Sequence, residues 1–320
     1  MGSGSRKDER SGFLFEMGAP ARVEPEVKRP RHPIWTENKA RLIQRYLHYF
    51  VMVTKHGTYI DGFAGPQEDG KDEMWSAKLV LENEPRWLRN FYLFDADPKQ
   101  VESLNTLVSS QAPMPKGQKR NVLVTPGDFN EGIKQLLADR PIKDREATFC
   151  LLDQRTFECK WRTAQLLAEY KPPGQHKIEL FYFLPNHWLD RSLAALTKNV
   201  HIGAEWWGRD NWATLQGIPG QDRAGLFAER FKKDLGYASA KPWPIMERAN
   251  GGSVMYYMIH ATDHPDAPAL MARAYAKAVT PLEPVEQLTL EGLLKPVEDD
   301  ELTSSSPDEE VHASGHSEPV

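Results

Sequence analysis

Four aspartates stand where apolar runs end. Asp61 lies in Tyr59-Ile60-Asp61-Gly62-Phe63-Ala64-Gly65-Pro66, and Asp95 closes Phe91-Tyr92-Leu93-Phe94-Asp95. Asp128 follows Val122-Leu123-Val124-Thr125-Pro126-Gly127, and Asp153 follows Phe149-Cys150-Leu151-Leu152. A carboxylate at a strand exit accepts hydrogen bonds from ligand hydroxyls and amines. Their succession points to a parallel sheet with a ligand site along one edge, because open α/β sheets bind ligands outside the carboxyl ends of their strands.

The first exit carries a turn, Gly62-Phe63-Ala64-Gly65, in which glycine lets the backbone approach a ligand closely. The N–H groups of a following helix then face that ligand. Asp61 can accept from a ligand amine or hydroxyl, the alternative being a plain strand-to-helix turn. Asp95 is placed to hold two ribose hydroxyls, with Asp97 either helping or capping a helix that opens at Pro98. Asp128 can reach a nucleobase amine with Phe129 packed on the base, or serve as an N-cap. After the fourth run, Asp153, Arg155 and Glu158 form the candidate catalytic group. Asp153 would orient or deprotonate an acceptor, and Arg155 would grip a carboxylate or phosphate as a planar fork. An Arg155–Glu158 ion pair on a helical turn is the competing reading.

Other chemistry-bearing residues carry weaker signals. Cys159 reads as a small buried residue rather than a nucleophile, since no histidine lies nearby in sequence. His260, Asp263 and His264 have ligand-like spacing, but Thr262-Asp263-His264-Pro265 also reads as a turn, and no metal is expected. Trp206, Trp207 and Trp212 with Arg209 can stack bases, though the mixed charge around them favours packing.

These residues need elements to position them. Ile43, Tyr46, Leu47 and Phe50 recur at helical spacing behind an N-cap at Thr36, with Glu37 in the first turn, ending near Thr54. Strands at 58–61, 91–95, 121–125 and 148–153 alternate with helices at 74–84, 98–109, 129–138 and 160–170. An apolar segment at 178–184, a helix at 188–197, a strand at 254–260 and a helix at 268–279 follow. Such alternation predicts βαβ units and a parallel sheet. Residues 201–250 break the rhythm, with four tryptophans and helical pieces near 208–216 and 221–235, and read as an insertion that covers or extends the site. The expected domains are therefore an extended or disordered segment 1–33, an α/β domain 34–280 and an acidic, largely disordered tail 281–320, with a short helix within 281–296.

The formal net charge of −5 is unevenly placed. Residues 297–320 hold eight acids and no Lys or Arg, while residues 1–33 hold seven bases and five acids, leaving the middle near +1. No global basic field draws nucleic acid to such a domain, so a nucleic-acid ligand is possible but not favoured. The longest apolar run, Leu47 to Val53, is far short of a membrane span. With two cysteines and no apolar leader, a reducing, cytoplasmic setting is expected.

A glycine turn, a ribose carboxylate, a base-binding Asp and a fourth strand-end Asp, in this order, resemble the S-adenosylmethionine methyltransferase fold: a Rossmann-like, mostly parallel sheet. The first turn, Leu151-Leu152-Asp153-Gln154-Arg155-Thr156-Phe157-Glu158-Cys159, and Met255-Tyr256-Tyr257-Met258-Ile259-His260-Ala261-Thr262-Asp263-His264-Pro265 resemble the three-Cys-motif partner proteins over about residues 32–280. That bacterial and phage-associated family is methyltransferase-like in fold. The resemblance implies S-adenosylmethionine as cofactor, an unknown methyl acceptor, and a partner with three clustered cysteines. A noncatalytic scaffold or nucleotide-binding partner is the alternative. Two departures bear on it: Gln67 stands where a third glycine is common, and the run after Asp153 lacks the Asp-Pro-Pro-Tyr of many amine-methylating enzymes.

Overall fold

A computed structural model describes residues 38–68, 70–248, 251–280, 282 and 288–295. The expected N-cap at Thr36, the segment 1–33 and the acidic residues 297–320 lie outside the described residues. Among the described residues, seven strands form one sheet: β1 (Gly57–Asp61), β2 (Leu88–Asp95), β3 (Asn121–Pro126), β4 (Thr148–Leu152), β5 (Glu179–Pro185), β6 (Ser239–Arg248) and β7 (Gly251–Thr262). Their order is β3-β2-β1-β4-β5-β7-β6. β1 through β5 run parallel, β7 is antiparallel to β5, and β6 is antiparallel to β7. The fold is thus a Rossmann-like, mostly parallel α/β sheet of methyltransferase type. β1, β4 and β5 are buried at every residue. That burial is why their sequences read as continuous apolar runs rather than as alternation.

Helices cover both faces. On one face lie α1 (Lys39–Thr54), α2 (Ser76–Leu81), α3 (Pro98–Ser110), α9 (Ala267–Ala276) and α10 (Leu290–Leu294). The other carries α4 (Phe129–Ala138), α5 (Trp161–Glu169), α6 (Leu189–Ala195), α7 (Val200–Trp207) and α8 (Gly220–Lys233). Most expected elements match to within a few residues. The helix expected at 74–84 is instead a 3-10 turn, Asp72–Met74, followed by α2. The larger difference lies in 201–250, whose end is β6, a strand of the main sheet. Pro242 and Pro244 masked it. Proline cannot donate to a ladder, but among the described residues β6 pairs with β7 alone and stands at the edge of the sheet, where proline is tolerated.

The tryptophans pack rather than stack on a ligand. Trp206, Trp207 and Trp212 are buried on the α5–α8 side, where Trp206 meets Phe227 and Phe157 at ring-centroid distances of 5.1 and 5.0 Å. Arg230 lies between Trp161 and Trp207, its guanidinium carbon 3.9 and 4.2 Å from the two rings. Gly208 ends α7 with φ +76°, and a Cβ there would lie 2.4 Å from the Trp161 ring. Gly236 has a similar φ of +71° but open surroundings, its nearest atom at 3.8 Å. Gly236→Ala should therefore cost only left-handed strain, about 1–2 kcal/mol. Gly208→Ala adds overpacking and should cost about 2–5 kcal/mol in total. Urea denaturation of both variants checks this; equal losses would contradict the packing assigned to Gly208.

Candidate functional site

The chain leaves the centre of the sheet in two directions, since β1 leads outward to β2 and β3 while β4 leads to β5. The strand order therefore reverses between β1 and β4, and the loops after these strands diverge there to open a crevice. A cleft of about 750 Å³ lies there. It is lined by Phe63, Gly65 and Gln67 from the β1 loop, Asp95 and Asp97 from β2, and Asp153, Arg155 and Glu158 after β4. Lys39, Glu68, Gln100, Phe183, Trp188 and Tyr256 also line it. Its volume falls in the range of small-molecule sites.

The β1 loop is stitched down by backbone groups. Gly62 N–H donates to Leu151 O (3.0 Å), Ala64 N–H to Phe94 O (2.8 Å) and Gly65 N–H to Asp95 Oδ2 (2.9 Å). A Cβ on Gly65 would lie 2.5 Å from Gln100 Cβ and 2.7 Å from Asp95 Oδ2, so glycine is needed for this close approach. Gly62 rests on the Phe129 ring, which would lie 3.0 Å from an added Cβ. Asp95 Oδ1 accepts from Asp97 N–H (2.9 Å), and Asp97 caps α3 through Lys99 N–H (2.9 Å). Each Asp95 oxygen thus takes one backbone donor and keeps a lone pair toward the cleft.

Asp61, Gly62, Ala64, Asp128 and Phe129 do not line the cleft. Asp61 is buried, accepting from Tyr59 Oη (2.7 Å) and Phe63 N–H (3.1 Å), and thereby shapes the turn. Asp128 is the N-cap of α4, accepting from Glu131 N–H (3.2 Å). Phe129 is a core ring between Phe63 and Phe94, at centroid distances of 5.7 and 5.3 Å. Asp128 thus serves as an N-cap and Phe129 as a core ring, as local capping preference and apolar area favour.

The loop after β4 is held from within. Gln154 is buried, accepting from Cys159 N–H (2.8 Å) and donating to Phe183 O (3.2 Å). Asn130 donates to Glu158 O (2.8 Å) and accepts from Lys160 N–H (2.9 Å). Glu158 Oε2 accepts from Thr156 N–H (2.6 Å) rather than pairing with Arg155. The exposed Arg155 guanidinium has no ion-pair partner among the described residues. Cys159 is buried, and burial pushes its thiol well up, which leaves it inert.

Asp153 is the most constrained group. Its Oδ2 accepts from Lys39 Nζ (2.6 Å) and from Gln67 Nε2 (2.7 Å). The Lys39 and Asp153 side chains are only 4% and 5% exposed. Lys39 Nζ also lies 5.6 Å from the Tyr256 ring centroid and 5.9 Å from that of Phe183. Burial by itself lowers the Lys39 pKa, but the charges of Asp153 and Tyr256 and the bond to Asp153 outweigh it and raise the net value. Gln67 therefore turns into the cleft. Lys39 escaped the sequence reading because a lysine at a helix start looks solvated, and its partner lies 114 residues away. Phe183 and Tyr256 were visible only as members of apolar runs.

His260 Nε2 donates to Glu179 Oε1 (2.9 Å), deep in the fold, where the Tyr46 and Thr262 hydroxyls also donate to that carboxylate. Asp263 caps Ala238 N–H (2.8 Å), and His264 N–H bonds to Thr262 (3.1 Å). Among the described residues no cluster suited to a metal occurs, and no helix is long and apolar enough to cross a membrane.

Among solved structures, the chain is similar to the small RNA methyltransferase HEN1 at 13% identity and TM-score 0.39, over 74% of this chain and 27% of that one. It is similar to the methyltransferase domain of bacterial CtHen1-CN at 14% identity and TM-score 0.38, over 70% and 99% of the two chains. A further likeness is to an S-adenosylmethionine-dependent methyltransferase of Methanosarcina mazei, at 10% identity and TM-score 0.34, over 67% and 95%. No family model matches the chain, and no curated protein matches it.

Burial raises the Asp61 carboxyl to about 7, with the nearby Asp153 and Asp95 charges adding and the bonds from Tyr59 and Phe63 opposing. A carboxyl raised in the fold holds a proton that the unfolded chain has lost, so stability falls as pH rises between the two pKa values. The window runs from the ordinary value near 3.8 to about 7. Urea midpoints of Asp61→Asn should fall less across this window than those of the wild type. Parallel curves would contradict the assignment.

Proposed function

We propose that this cleft binds S-adenosylmethionine and that the chain is a methyltransferase of unknown acceptor. The observation that carries the reading is the cleft's charge: five carboxylates (Glu68, Asp95, Asp97, Asp153, Glu158) against two cations, Lys39 and Arg155. A phosphate-bearing nucleotide or a nucleic-acid strand is disfavoured there, whereas a sulfonium cation is attracted. Asp95 would take the ribose hydroxyls on its remaining lone pairs, with Gly65 beside them. The cofactor would supply the reactive methyl group. The chain's own residues position it: Phe63 packs beside the turn, Asp153 orients the acceptor end, and Arg155 meets an anionic group of the acceptor as a fork. Glu158, bonded to Thr156 N–H, fixes the Arg155 loop rather than acting on the ligand.

A second reading is favoured by Gln67, which occupies the place of a glycine and, with Lys39, already satisfies one Asp153 oxygen. In it the chain is a noncatalytic scaffold for a protein with three clustered cysteines. That partner, proposed in both readings, and a cytoplasmic setting rest on the family resemblance and the cysteine content.

Calorimetric titration with S-adenosylmethionine and S-adenosylhomocysteine tests the reading. Asp95→Asn keeps one acceptor oxygen for the loop and removes the charge, whereas Asp95→Ala would also strip two backbone hydrogen bonds. Charge-assisted bonds are worth about 1.5–3 kcal/mol each, so affinity should fall more than about tenfold in Asp95→Asn, with the melting temperature falling less than in Asp95→Ala. Unchanged affinity would remove Asp95 from the ligand's contacts. An absence of heat with the wild type would leave only the scaffold reading.

A further inference from the structure

The cleft already holds an amine. Lys39 Nζ lines it, at hydrogen-bond distance from the carboxylate that stands where the strand order reverses (2.6 Å to Asp153 Oδ2). Gln67, two residues beyond Gly65, binds the same oxygen, so the β1 loop, the β4 exit and α1 meet at one atom. We propose that Lys39 is a methyl acceptor in its own right, modified in cis by the donor bound in this cleft; this rests on the reading of the cleft as a sulfonium site.

Three observations lead there. The first is place: the pair is buried, its side chains 4% and 5% exposed, and yet both residues line the cleft. The second is a proton acceptor at working distance, because a general base must lie within about 2.6–3.2 Å of the atom it deprotonates. The third is the surrounding: Tyr256 and Phe183 face the nitrogen at 5.6 and 5.9 Å, and the two rings meet at a tilt with centroids 4.6 Å apart. Aromatic faces stabilise the positive charge that remains on nitrogen once methylated, and they contact the added methyl group.

The step balances. The Lys39 ammonium gives one proton to Asp153, and the freed lone pair forms the N–C bond to the methyl carbon. The C–S bond breaks as this happens, and its electron pair stays on sulfur, turning the sulfonium into a neutral thioether. Asp153 then releases the proton to solvent, and the methylated ammonium pairs with it again. No oxidant, metal or further reactant is needed.

The test uses the full chain with S-adenosylmethionine bearing a deuterated methyl group, read by intact mass and peptide mapping, with calorimetry run in parallel. One labelled methyl increment on the peptide containing Lys39 is expected. The increment should be absent in Lys39→Arg and, at saturating donor, formed at least about tenfold more slowly in Asp153→Asn, which loses the base. Donor binding by the wild type with no label on Lys39, or label only elsewhere, overturns this inference and leaves the methyltransferase reading standing. No donor binding at all overturns that reading, and this inference with it.

Discussion

A carboxylate buried at the middle of a sheet cannot stand alone, and the rest of this site depends on that constraint. Asp153 lies at the reversal of strand order with its side chain 5% exposed. Leaving such a charge without partners would cost several kcal/mol. Lys39 supplies the counter-charge from the start of α1, and Gln67 supplies a second donor from the β1 loop. The pair therefore ties together the first helix, the first turn and the fourth strand exit. Burial without full compensation is visible next door, where Asp61 is pushed up to about 7 partly by the charge of Asp153.

The four strand-end aspartates divide the work. Asp61 spends its oxygens on Phe63 N–H and the Tyr59 hydroxyl, Asp128 on Glu131 N–H and the Asn130 amide, and both build turns. Asp95 and Asp153 also hold loop groups but present the remainder of their carboxylates to the cleft. The same residue type at the same topological position thus serves structure or ligand according to what local backbone donors leave over. Arg155 gains its freedom from the same accounting, since Thr156 N–H, and not the guanidinium, occupies Glu158.

Much of this was legible in the chain because it is local. Buried parallel strands appear as apolar runs, α3 announces itself by Asp97-Pro98, and α4 begins where Asp128 caps it. β6 was hidden because two prolines on an edge strand imitate a loop. The wall of the cleft was hidden for another reason. Lys39, the pair Phe183 and Trp188, and Tyr256 come from three distant segments, and nothing in the sequence near each one reveals the others. Gln67 stood out only as a residue in the place of a common glycine; it turns in and bonds to Asp153. Pairings across 86 and 114 residues are tertiary facts with no local signature.

The central claim is that a sulfonium nucleoside sits between the β1 loop and the β4 exit. A crystal structure with S-adenosylhomocysteine tests it most directly. The account predicts the ribose hydroxyls within hydrogen-bond distance of Asp95, the ribose beside Gly65, and the sulfur turned toward the Lys39–Asp153 pair. A ligand bound outside this cleft, or inside it with the ribose away from Asp95, would contradict the account.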